Sequence, residues 1–191
     1  GVRLVGSEMC IRDSNTSSGA ADNYNGDGGA IYANTGQEII IKNSYFENNI
    51  AVKSSHSNDG GAILLYGPKA EISDTEFYAN KSQNSCGGAA YMITLTSIWK
   101  QVNFIDNTAA NMGGAIFFED GAGKTAEIYN SKFYGNKSGV NGGAIYNGIA
   151  LSITNSVFGA EGDDKGNGSL LSVAPKPSKL PSNSSPVMKV P

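Results

Sequence analysis

The sequence predicts an all-β fold, a parallel β-helix (solenoid) of about five rungs, and three observations carry that prediction. A Gly-Gly-Ala front signature, with Ile next in four of the copies, opens at Gly28, Gly60, Gly87, Gly113 and Gly142, in steps of 32, 27, 26 and 29 residues. A rear signature, Phe-x-x-Asn, follows each front at Phe46/Asn49, Phe77/Asn80, Phe104/Asn107 and Phe133/Asn136, then degrades to Phe158/Glu161. Between the signatures apolar residues alternate in short bursts broken by Gly, Asn and Asp, which is the period of short strands, and no stretch carries a helical period.

Each unit reads in the same order. The Gly pair supplies backbone freedom at the corner that enters the first strand. Two columns then alternate: Ile31, Ile63, Ala90, Ile116 and Ile145 against Tyr32, Leu64, Tyr91, Phe117 and Tyr146. One must face the interior and the other outward. We place the Ile column inside, so that Tyr32, Tyr91, Phe117 and Tyr146 form an outward aromatic strip; the opposite orientation, or cover by the loops before each Gly-Gly, are the alternatives. A second alternation carries Ile41, Ile72, Trp99, Ile128 and Ile153, and a polar bend follows at Asn43, Asp74, Gln101, Asn130 and Asn155. Asn tolerates the left-handed backbone such a bend needs. The third strand holds the Phe. With three short strands per turn, like residues of successive rungs stack about 4.8 Å apart. The Phe column then fills the interior ring on ring, and the Asn amides, each donor and acceptor, form a ladder.

The alternating GGA[ILV] and FxxN motifs resemble the repeats of the chlamydial polymorphic outer membrane protein family and of related β-helix surface proteins. The resemblance covers roughly residues 25–161. It implies a right-handed, pectin-lyase-like β-helix serving as an autotransporter-passenger or adhesin region, extracellular or on the cell surface at the outer membrane. Cys86 and Ala90 mark the least typical front.

The two ends depart from the repeat. Residues 1–14, GVRLVGSEMCIRDS, break the columns and hold both arginines of the chain. The run resembles translated sequencing-adaptor sequence and is set aside as a foreign leader; a worn signal peptide is the competing reading, against which Glu8, Arg12 and Asp13 interrupt the apolar segment. With no Met at position 1, the expectation is a fragment of a longer protein, reached by a membrane only through regions outside it. The β-helix domain is assigned to residues 15–161. Residues 162–191 are rich in Pro and Ser, a composition that opposes a packed core, and read as a disordered linker or tail; Leu170, Leu171 and Val173 are the alternative, a cap strand over the last rung.

Charge narrows the partners. From Asn15 to Glu161 there are 13 acids against 8 lysines and no arginine, a net charge of −5. Nucleic acid is excluded as a partner, because phosphate recognition leans on clustered Lys and Arg. With Cys10 set aside, Cys86 stands alone, so there is no disulfide framework or cysteine metal site.

No residue constellation points to a cofactor, and the catalytic and metal assignments are none. Asp27 and Asp59, each directly before a Gly-Gly, form the best carboxylate pair, yet Asp before Gly is also what a turn wants and the column continues as Cys86, Met112 and Asn141. Glu71 and Glu127 share a column with Ile98 between them, too far apart for a metal. His56, the single histidine, lies in a polar excursion. The run GAGKT at Gly121 to Thr125 lacks the first glycine of a phosphate loop, since Phe118 holds that place. Sequons at Asn80 and Asn136 fall in the ladder column, and GDD at Gly162 to Asp164 reads as linker.

Spacing varies between the fixed columns, and the surplus residues must leave the rung as loops, where binding is commonly placed. The expected ligand surface is therefore the excursion Ala51 to Asp59 with His56, the loop Glu119 to Lys124, and the strip Tyr32, Tyr91, Phe117 and Tyr146. The expected function is non-enzymatic binding or display toward a glycan or a host or neighbouring cell-surface protein. A carbohydrate-active β-helix enzyme (polysaccharide lyase or glycoside hydrolase) and an inert stalk are the alternatives. A solenoid with open ends also predicts self-association there.

Overall fold

The computed structural model describes residues 2–4, 10–19, 27–53, 60–159 and 171–173. Every strand pairing is parallel and no helix occurs among the described residues, so the chain is a parallel β-solenoid of about four complete turns flanked by partial ones. A partial first turn holds β1 (Val2–Leu4), β2 (Cys10–Asp13) and β3 (Thr16–Gly19). The first complete turn follows as β4 (Ile31–Asn34), β5 (Ile39–Lys42), β6 (Ser44–Glu47) and β7 (Ile50–Lys53). In the next two turns the first three segments fuse into bent strands, β8 (Ile63–Tyr78) with the short β9 (Lys81–Ser82), then β10 (Ala90–Ile105) with β11 (Thr108–Ala109). The segments separate again as β12 (Ile116–Phe118), β13 (Thr125–Tyr129), β14 (Lys132–Tyr134) and β15 (Lys137–Ser138). A last partial turn contains β16 (Ile145–Asn147), β17 (Ala150–Thr154) and β18 (Val157–Phe158), and β19 (Leu171–Val173) lies on β16. A complete turn thus has four strand segments where the sequence suggests three. The extra one is the short stretch after each ladder asparagine, which pairs in a second sheet of its own, β15-β11-β9-β7-β3.

The columns are in register. Ile41, Ile72, Trp99, Ile128 and Ile153 face one another from turn to turn, as do Phe46, Phe77, Phe104, Phe133 and Phe158. The five Phe rings stack at centroid distances of 4.8, 5.2, 4.7 and 4.6 Å, within 11° of parallel. The Ile column of the first strands lies inside, with Ile63, Ala90, Ile116 and Ile145 fully buried in the same core. The polar bend is left-handed at every turn: Asn43, Asp74, Gln101, Asn130 and Asn155 have φ of 48°, 50°, 56°, 50° and 48°. A second left-handed column, Ser14, Asn48, Ala79, Asp106 and Gly135, sits just before the ladder position and was not visible as a motif because its residue types vary.

The ladder forms as expected. Asn49, Asn80, Asn107 and Asn136 are fully buried, and each amide from Asn80 onward returns one N–H to the Phe carbonyl of the preceding rung at 2.9 Å. The sequons at Asn80 and Asn136 therefore lie on amides already bonded inside the coil. At the front corner Gly87 adopts φ +68°, and a Cβ on Gly88 would run into the carbonyl oxygen of Gly114 and the backbone of Thr108. Those two positions accept only glycine without displacing the next rung.

Strand pairing extends past the expected boundaries in three places. The described residues of the 1–14 stretch pair with the coil: β1 pairs with β5, β2 with β6, Ser14 N donates to Glu47 O at 2.8 Å, and next to them Asn15 donates to Asn49 Oδ1 through both its backbone N and its Nδ2. The open edge of a parallel rung offers backbone donors and acceptors to any chain of suitable length, so pairing there does not require the columns. Within residues 162–191, Leu171–Val173 is a strand, the cap-strand alternative. Finally, Ala51 to Lys53 belong to β7 rather than to a loop, and Ala51 is buried.

Candidate functional site

The outward column of the first strands divides into a covered half and an open half. Phe117 and Tyr146 stack with centroids 4.9 Å apart, Tyr91 packs on Phe117 at 4.7 Å with its ring tilted by 32°, and Tyr91 and Phe117 are only 4% and 7% exposed. They form a second apolar cluster with Leu64 and Cys86, flanked by half-buried Met112. Cys86 and Met112 directly precede a Gly-Gly. The strip thus points away from the coil, as expected, but cover by those loops removes Tyr91 and Phe117 from any exposed platform and leaves Tyr146 partly accessible.

Leu64 ends the stack because it stands where the other turns carry a ring. Tyr32, in register with Leu64, is 47% exposed, and Tyr66, two residues beyond Leu64 on the same outward side, is 49% exposed. Asn34 Nδ2 donates to the Tyr32 hydroxyl at 3.5 Å. An open depression of about 390 Å³ lies against these rings, lined by Asp27, Tyr32, Leu64, Tyr66, Ile93 and Glu119. Across Asn34, Tyr66 and Ile93 it adjoins a second, of about 430 Å³, which extends over Gly67 and Pro68 to Leu95 and Lys124. The two make one trough. Leu95, at its far side, is 53% exposed.

The loop from 119 to 124 forms one wall. It leaves β12 with Glu119 N donating to Met92 O at 3.1 Å and closes on itself: Lys124 Nζ donates to Glu119 Oε2 and O at 3.4 Å and to Asp120 O at 3.3 Å. The lysine of the GAGKT run is thus committed within its own loop. Under this wall burial pushes the Tyr91 phenol well above its ordinary value, and the negative charge of Glu119, then Cys86, the hydrogen bond to Glu119 and the charge of Asp27 push it the same way. Tyr91 therefore stays protonated, holds Glu119 from beneath, and lies within electrostatic reach of both carboxylates. Asp27 itself is 5% exposed.

Of the residues predicted from sequence, Tyr32, Glu119 and Lys124 meet at the trough, Tyr91 and Phe117 support it from below, and Tyr146 lies further along the stack. His56 and Asp59 lie outside the described residues, so the excursion and the Asp27/Asp59 pair are not placed. Glu71 and Glu127 do share a column, separated by Ile98, and Glu71 is paired with Lys42 at 3.2 Å and Lys100 at 4.0 Å. Among the described residues no three His, Cys, Asp or Glu side chains group as metal ligands.

Sequence reasoning missed Asn34, Tyr66, Ile93 and Leu95. Asn34, Tyr66 and Ile93 share a column that continues as Glu119 and Gly148, with no common residue type, and Leu95 lies two residues beyond Ile93. The available signal was parity, since position i+2 from Tyr32 or Leu64 must share its face.

No curated protein and no solved structure matches the chain. A family model described as right handed beta helix region matches residues 1–158. With its parallel strands, in-register columns and this match over most of its length, the chain belongs to the right handed beta helix family.

Proposed function

We propose that this β-helix is a non-enzymatic binding and display region of a secreted or surface-exposed protein of the polymorphic outer membrane type, and that it takes its ligand in the trough over Tyr32 and Tyr66. One observation carries the reading. Two aromatic rings stand about half exposed on a scaffold whose neighbouring outward rings are buried, beside an open depression walled by a closed loop. Exposed aromatic faces on a rigid support are a common basis of recognition, because little side-chain entropy is lost on binding. The family match supports a β-helix in general; the adhesin role and the outer-membrane location rest on the GGA[ILV]/FxxN resemblance. The test is binding of the protein to a glycan array and to host or neighbouring cells, alone and with residues 119–124 shortened to a two-residue turn. Loss of binding in the shortened variant is the expected result; unchanged binding removes the trough, and no binding to any surface favours a stalk.

A second reading has one specific observation behind it. Asp27 and Glu119 both line the same depression, and two carboxylates flanking a sugar site are the machinery of glycoside hydrolysis. Assays on neutral and uronic-acid polymers for new reducing ends and unsaturated products decide it. Cleavage that disappears in Glu119→Gln and in Asp27→Asn would replace the binding reading with an enzymatic one.

A further inference from the structure

We propose that the trough recognises a glycan bearing free amino groups, with sugar faces on Tyr32 and Tyr66 and ammonium groups toward Asp27 and Glu119. The inference rests on the reading of the trough as a binding site and names the chemistry of its ligand.

Charge is the first argument. Asp27 and Glu119 line the depression, and Asp120 sits on the same loop. Lys124 is the one cation among the described lining residues, and its ammonium lies 3.3 to 3.4 Å from Glu119 Oε2, Glu119 O and Asp120 O. Carboxylates therefore outnumber the cation, and that cation is already engaged within its own loop. A uronate, sulfate or phosphate polymer would meet net repulsion here, whereas an ammonium gains from each carboxylate within a few ångströms. Glu119 retains acceptor capacity for it, since an ionised carboxylate has about four lone-pair sites.

Backbone geometry is the second. β8, which carries Tyr66, is paired on both sides, with β4 and β10, so among the described strands an extended peptide could join only along the outer edge of β4. Over Tyr66 recognition must run through side chains. Tyr32 and Tyr66 offer ring faces, which suit the apolar face of a pyranose and add cation–π attraction for an ammonium held over them. The trough continues past Gly67 to Leu95, which gives a linear oligomer room along its length. Basic peptides share the charge but not the flat sugar faces.

The test compares glucosamine oligomers with their N-acetylated counterparts, with oligogalacturonate and with a lysine-rich peptide, using calorimetry on the full chain. Glucosamine oligomers should bind about tenfold or more tighter than the acetylated ones, and added salt should weaken them. Tyr66→Ala should cost about tenfold, by the size of a cation–π contact, and Glu119→Gln about fivefold with a flatter salt dependence. Equal binding of acetylated oligomers, or preference for galacturonate or for the peptide, overturns the inference. If such a ligand nevertheless loses affinity in Tyr66→Ala, the trough stands as a binding site and only its assigned chemistry falls. Absence of binding by every ligand here and on cells overturns both.

Discussion

Asn80 and Asn107 are joined by two hydrogen bonds that end on one oxygen: the backbone N and the Nδ2 of Asn80 both donate to Asn107 Oδ1, each at 3.0 Å. The same double bond links Asn49 to Asn80 and Asn107 to Asn136. Each amide from Asn80 onward also satisfies a Phe carbonyl, so one side chain meets three backbone or amide groups in the interior. Asn107→Ala should therefore leave the Asn80 backbone N–H and one N–H of the Asn80 amide without their acceptor and remove a donor from the Phe77 carbonyl, at a cost of about 3 kcal/mol or more. Urea unfolding checks this against Asn103→Ala, whose partly exposed amide meets only Glu76 and whose loss should cost under about 1 kcal/mol.

Two buried polar side-chain atoms among the described residues are exceptions to this pairing. Ser97 Oγ and Trp99 Nε1 are buried and have no hydrogen-bond partner among the described residues. Ser97 stands in register between Ala70 and Ala126. Ser97→Ala should thus stabilise the coil by about 1 kcal/mol, because it removes an unpaired hydroxyl and fits a column that already holds alanine. Phe104→Ala, in the middle of the ring stack, should instead destabilise by about 3 to 5 kcal/mol. Thermal unfolding of the two variants should move in opposite directions.

Two groups set the pH limits of stability. The Lys42 hydrogen bond holds the Glu71 carboxyl below its ordinary value against some burial, so its contribution is present above the usual carboxylate range and disappears as pH falls through the lowered value. Glu71 is partly exposed, and the effect should not exceed about 0.5 kcal/mol. Tyr91 acts at the other limit. Its phenol is raised mainly by burial, so stability is intact below about pH 10 and falls as pH rises beyond it, where only the unfolded state ionises readily. In tyrosinate absorbance titrations Tyr91 should ionise with unfolding, and Tyr91→Phe should remove one such step from the alkaline limb.

The ends of the coil bear directly on association. In the second sheet β3 and β15 are both edge strands, and β17 and β18 each pair on one side only among the described strands. Such edges are templates for another chain. Sedimentation should show concentration-dependent association of the protein, reduced when capping sequences are added at both ends. A strict monomer at all concentrations would mean that its edges are already covered.

Fold and columns were legible because stacking forces like residues into like positions, which a repeat displays directly: the Phe, Ile and Asn columns fall where the motifs place them. The ends were harder, for different reasons. Asn15 enters the ladder through its own amide, yet Arg12 faces Phe46, so the flank keeps the register and lacks the signature. Leu171 pairs with Ile145, and Gly168-Ser169-Leu170-Leu171 follows Gly142 by 26 residues, the same step as from Gly87 to Gly113; the worn front was hidden by composition. The site was legible in part. Alternation establishes that Tyr91 and Phe117 leave the coil, but it does not reveal that the loops of Cys86 and Met112 return over them. Tyr66 was missed because it belongs to a column without a consensus.

The proposed binding over Tyr32 and Tyr66 requires that no other tyrosine-bearing face serve in its place. Tyr45 and Tyr134 supply the internal control, since they lie on the outer side of the third strands, in β6 and β14. The decisive measurement is the affinity of the Tyr32→Ser/Tyr66→Ser and Tyr45→Ser/Tyr134→Ser double variants for whichever ligand the intact protein captures, with circular dichroism confirming that both keep their β content. A loss of about a hundredfold is expected in the first, two aromatic contacts at about tenfold each, and little change in the second. Retained affinity in the first with loss in the second would contradict binding over Tyr32 and Tyr66.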